Sequence, residues 1–121
     1  MMDANLKARW VKALRSKRYR QASGNLREKQ SNKRYSYCCL GVLCHTMGVK
    51  WKTGVPVLND TIMEAQGEAY LSYDALKMVG LDDDTQRQLA TMNDEGYTFR
   101  DIADHIENTI RADQPLAPGE G

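Results

Sequence analysis

The sequence predicts an α+β domain, mostly helical, with about four or five helices and a small β-hairpin or short edge strands. Helical apolar spacing recurs at both ends of the chain. Cap residues and terminating glycines frame the segments between. Long apolar strand patterns are missing, which leaves room only for short β elements.

Asp3 is placed to cap a first helix from about Ala4 to Arg18. Leu6, Trp10, Ala13, Leu14 and Lys17 follow its apolar face, and Lys7, Arg9, Lys12 and Arg18 form the opposite one. Gln21 to Ser36 is polar. Within it Asn25–Arg27 and Tyr35–Tyr37 read as two short strands around a turn at Lys29 to Lys33. Tyr37 to Met47 (YCCLGVLCHTM) is the most apolar stretch and ends at Gly48, a natural helix terminator. It reads as a central helix in which Gly41 allows close approach of a neighbour, although a buried strand also fits so short an apolar run. Val49 to Leu58, with Trp51, Gly54 and Pro56, predicts a loop or a short edge strand.

Ser72 caps a helix over Tyr73 to Val79 that stops at Gly80. Asp82 to Asp84 place negative charge where the dipole of a helix from Thr85 to about Asn93 favours it. Thr98 and Asp101 have capping-box spacing. They open a final helix to about Arg111 with Phe99, Ile102, Ala103, Ile106 and Ile110 as its stripe. Residues 1–111 are expected to form one globular domain and 112–121, rich in proline and glycine, a flexible tail.

At 121 residues the chain fits one domain and can bury a sufficient core. No apolar run approaches the roughly 20 residues that span a bilayer, and the charged, amphipathic start carries no apolar signal region. A soluble, cytoplasmic protein is expected, with no membrane partner. The net charge of +1 hides an asymmetry. Residues 1–40 hold eleven Lys or Arg against two acids, and the remainder holds six against fourteen. Such a basic third attracts phosphates or nucleic acid, unless the acidic remainder folds back and neutralises it.

Cys38, Cys39 and Cys44 form an odd, clustered set, a poor disulfide framework. With His45 they supply no four side chains that converge on a tetrahedron, so no metal is expected. Packed core thiols are the simpler reading. A Cys44 nucleophile with a histidine base would need a thiolate-favouring environment. No catalytic residue and no cofactor are assigned. Asn93-Asp94-Glu95-Gly96 reads either as a tight interhelical turn or as a pocket edge that fixes a base or sugar. The densest polar constellation is Arg15, Tyr19, Gln21 and Arg27, with Tyr37 beyond. Arginine forks match phosphate and tyrosines stack on bases. The alternative for the same residues is a solvated basic face.

Four pieces carry a resemblance: Trp10 to Ser16, Tyr19 to Arg27, Tyr37 to Cys44 and Leu89 to Glu107. The pattern W-x-x-A-L-R-S, Y-C-C-L-G-V-L-C and N-D-x-G-x-[ST]-F is similar to that of a family of short proteins carried by bacteriophages and other mobile elements. The family has no settled activity, so no catalytic residues carry over. The resemblance implies an accessory protein acting in the bacterial host cytosol. The leading expectation is a non-catalytic anti-defence protein that sequesters a phosphate-bearing nucleotide signal through Arg15, Tyr19, Gln21, Arg27, Tyr37, Asn93 and Asp94. The alternatives are inhibition of a host defence protein by direct contact, nonspecific nucleic-acid binding through the basic third, and a nucleotide hydrolase using Asp94 or Cys44. A homodimer is also expected, because symmetric oligomers often share sites.

Overall fold

Five helices and eight short strands form among residues 1–52, 54–65 and 69–113, the parts of the chain that the computed structural model describes. The architecture is α+β, as the sequence predicts.

Helix α1 (Ala4–Arg15) starts where Asp3 accepts a hydrogen bond from the Leu6 backbone at 2.8 Å. It buries Leu6, Trp10, Val11 and Leu14, and the Trp10 indole donates to the Cys39 carbonyl at 2.9 Å. The helix stops short of the expected Arg18. Ser16 tightens the last turn by donating to the Ala13 carbonyl, and Lys17 takes the left-handed conformation at φ 63°. Lys17 is therefore exposed rather than part of the buried stripe.

The predicted hairpin exists, shifted by two residues in its first strand. Strand β3 (Arg27–Lys29) pairs antiparallel with β4 (Tyr35–Tyr37), so that Arg27 faces Tyr37. A two-residue strand, β2 (Arg20–Gln21), adds parallel to the other edge of β4 and sets Gln21 opposite Tyr37. Two residues are too few to show alternation in sequence.

The chain turns from β4 directly into α2 (Cys39–Thr46), the central helix, which buries Cys39 through Cys44. Gly41 is required there: a Cβ would collide with the Leu26 carbonyl.

Lys50 to Ile62 forms an antiparallel meander, β5 (Lys50–Lys52), β6 (Val55–Leu58) and β7 (Thr61–Ile62), where a loop or one edge strand was expected. The overlooked signal is Asn59-Asp60. Both residues adopt positive φ (50° and 64°), as a two-residue hairpin turn demands. Pro56 sits in the middle strand rather than at an edge, and its carbonyl still accepts from the Met63 backbone at 2.9 Å.

Helix α3 (Tyr73–Val79) has the Ser72 cap and Gly80 stop that the sequence predicts. Helix α4 (Asp83–Asp94) begins two residues early because Asp82 accepts from the Thr85 backbone at 2.6 Å. Helix α5 (Phe99–Thr109) carries the full capping box between Thr98 and Asp101. Ala112 and Asp113, expected in the tail, form β8 and pair in parallel with Met2 and Asp3 of β1 (Met2–Asp3). The remainder of the expected tail, 114–121, lies outside the described residues. One core joins the inward faces of α1, α2, α4 and α5. It leaves the β2–β4–β3 sheet and the start of the meander at its margin.

Candidate aromatic and cationic site

Strand pairing places Arg27 and Gln21 on either side of Tyr37. From Tyr37 a continuous aromatic path runs across the surface. Its ring lies edge-on to Tyr19 with centroids 5.2 Å apart, 5.5 Å from His45 and 6.2 Å from Trp51. The Tyr19 hydroxyl and His45 Nδ1 share a hydrogen bond of 2.8 Å. At the far end the Arg27 guanidinium carbon sits 3.9 Å from the Tyr35 ring centroid and 4.4 Å from that of Trp51. Two aromatic rings hold it by their π faces, a cation–π arrangement that leaves the N–H edge of the fork uncommitted. The Trp51 indole N–H is buried and has no partner among the described residues. An orphan donor of this kind costs about 1–3 kcal/mol unless something accepts from it.

Burial, and next the charge of Arg27, hold the His45 imidazole below its ordinary range, so it is neutral at pH 7. Burial and the neighbouring Tyr37 push the Tyr19 phenol upward. The Tyr19 phenol is protonated and so a poor nucleophile, while the neutral imidazole beside it keeps a basic ring nitrogen.

Tyr19 and His45 also line a cavity of about 360 Å³ between the end of α1 and the end of α2. Arg9, Lys12 and Arg18 line it as well, and among the described residues no carboxylate does. A wider groove of about 710 Å³ on the neighbouring flank of α1 is walled by Ala4, Ala8, Val11 and Ala112. Its cations are Lys7, Lys12 and Arg15, of which Arg15 is paired with Glu107 in the same groove, and Lys12 borders both cavities.

Of the residues singled out from sequence, Tyr19, Arg27 and Tyr37 come together. Arg15 does not join them: it is paired with Asp104 at 2.5 Å and Glu107 at 2.6 Å on α5. Gln21 donates to the Asn93 side chain at 3.0 Å and to the Tyr97 carbonyl at 2.7 Å. Asn93 is buried, accepts from the Cys39 backbone at 3.3 Å and donates to the Ala22 carbonyl at 2.6 Å. Asp94 accepts from the Gly24 backbone at 3.2 Å. These three residues lock the 21–24 segment onto α2 and α4. The residues that sequence reasoning left out of the site are Trp51, His45 and the Arg9–Lys12–Arg18 set. The last was visible as the polar face of α1, but nothing in the sequence separates Arg9 from Lys7.

All three cysteines are buried free thiols. Desolvation pushes the Cys38 thiol up to about 11 and raises Cys39 and Cys44 as well. At neutral pH they stay protonated, the inert condition of core cysteine. Among the described residues no group of three His, Cys, Asp or Glu side chains converges as a metal site. No helix among them is long and apolar enough to cross a membrane.

A family model, described as a domain of unknown function (DUF8296), matches residues 2–72, the part that carries α1, the β2–β4–β3 sheet, α2 and the meander. No curated protein matches the chain. No solved structure matches it either.

Proposed function

This chain belongs to the DUF8296 family, and we propose that it binds a phosphate-bearing nucleotide and holds it without catalysis. The observation that carries the reading is Arg27, whose guanidinium is clamped between Tyr35 and Trp51 and has no hydrogen-bond partner among the described residues. A stacked arginine is pre-oriented. It presents its donors to a phosphate with little further loss of side-chain freedom. Beside it, the Tyr37 and Trp51 rings supply an aromatic surface for the base. The cysteine thiols are buried and protonated and the Tyr19 phenol is pushed upward, so the residues around Arg27 offer no activated nucleophile, which favours retention over turnover. In a bacterial host this binding would remove a nucleotide signal from circulation, the role that the resemblance to phage accessory proteins implies.

Calorimetric titration of the full chain with the four 5′-mononucleotides tests the reading. At least one is expected to bind, and Arg27→Ala is expected to weaken it about tenfold or more, the worth of one charge-assisted bidentate contact. Failure of all four and of their 5′-phosphorylated dinucleotides to bind would refute it. A single-stranded oligonucleotide that binds where mononucleotides do not, with affinity collapsing as salt rises, would replace it by general nucleic-acid binding.

A further inference from the structure

We infer that the ligand carries two separated phosphate groups, the second seated on Arg9, Lys12 and Arg18, so that the ligand class is a dinucleotide rather than a mononucleotide. This rests on the nucleotide-binding reading above. The cations of α1 and of the turn after it fall into two groups. Lys7 donates to the carbonyls of Glu107 and Ile110 at 3.2 and 2.6 Å, and Arg15 is paired with Asp104 and Glu107. These two tie α1 to α5. Arg9, Lys12 and Arg18 have no carboxylate partner among the described residues, and all three line one cavity of about 360 Å³, with Lys12 also bordering the groove of Arg15 and Glu107. Three like charges around a concave surface raise the local potential and concentrate an anion there.

The cavity is not isolated. Tyr19 and His45 form part of its wall and also touch Tyr37. Tyr37 touches Trp51, which lies under Arg27. One aromatic path therefore has an uncommitted guanidinium at one end and a three-cation cavity at the other. A mononucleotide occupies one end only. A 5′-phosphorylated dinucleotide carries two phosphates, one for each cationic site, and a nucleoside between them for the aromatic path. The Lys17 backbone, held at φ 63°, makes the turn that carries Arg18 and Tyr19 to the mouth of the cavity. Left-handed non-glycine residues are sparsely populated and gather at functional sites.

The test compares calorimetric affinities of the four 5′-mononucleotides and the matching 5′-phosphorylated dinucleotides for the full chain and for the Arg9→Ala/Arg18→Ala variant. Both residues are exposed, and a melting curve checks that the variant is folded. The dinucleotide is expected to bind the native chain at least about tenfold more tightly than its mononucleotide. In the variant that advantage should vanish while mononucleotide affinity stays within about twofold. Equal affinity of the two ligands for the native chain would overturn the second subsite and leave the nucleotide reading standing. So would a variant that weakens both ligands alike. No binding of any ligand would overturn both.

Discussion

The two flanks of helix α1 carry the same kinds of side chain and do opposite things. On one, Lys7 and Arg15 reach the last turns of α5 and are satisfied there by two backbone carbonyls and two carboxylates. On the other, Arg9 and Arg18, with Lys12 at the border between the flanks, line a cavity that has no acid among the described residues. The difference teaches that a basic sequence segment is not a basic surface. Folding brings the acidic α5 against part of it, which fulfils in part the expectation that the acidic remainder neutralises the basic third. What folding leaves unmatched is the material for a site. The same division separates Asn93, whose amide is committed inside the protein, from Arg27, whose guanidinium is not.

Replacing a committed group should cost stability, and the largest effect is expected at Asn93. Asn93→Ala strands the Ala22 carbonyl and the Cys39 backbone N–H in a buried place. It should lower unfolding free energy by about 2–4 kcal/mol, read from urea denaturation. A variant of native stability would move Asn93 back among the candidate ligand groups.

Replacing an uncommitted group should change chemistry and not stability. Arg27 is one of the two causes that hold His45 below its ordinary value of 6.5. Arg27→Ala should raise the His45 midpoint measured by NMR titration. In the native chain the unfolded state takes up this proton first as pH falls. The contribution of His45 to stability is therefore complete above the ordinary histidine range and declines as pH drops through it. A bound phosphate beside the ring favours the imidazolium, so anion affinity should rise over the same interval. An unmoved midpoint in the arginine variant would separate Arg27 from His45 electrostatically and break the path between the two ends of the site.

Lys17→Gly relieves a left-handed lysine at the end of α1 and should stabilise the chain by about 1 kcal/mol or less, seen as a small rise in melting temperature. The smallest effect belongs to Arg15→Ala. Its ion pairs are solvent-exposed, and pairs of that kind contribute little. Nucleotide affinity should be unchanged. A clear loss of affinity would return Arg15 to the phosphate site and undo the contrast between the flanks.

Much of the fold was legible because local rules decide it. The Ser72 and Thr98 caps, the Gly80 stop, the stripe of α5 and the apolar central helix follow from spacing and hydrogen-bond chemistry within a few residues. The Asn59-Asp60 turn was equally local and went unread, because Pro56 argued against a middle strand. The site was legible only in part. Tyr19, Arg27 and Tyr37 were found because residues 19 to 37 fold on themselves through short strands. Trp51 and His45 join them through contacts between elements that no spacing displays.

The sequence by itself determined the helices, the central position of the Cys39–Thr46 segment and the presence of surplus positive charge in the first third. Only the tertiary structure decided which of those charges are matched. Pairing depends on where α5 lies against α1, and α5 begins 84 residues after Arg15 in the chain. At that separation the partner of an arginine is set by packing of buried faces, and the guanidinium follows wherever its helix is carried.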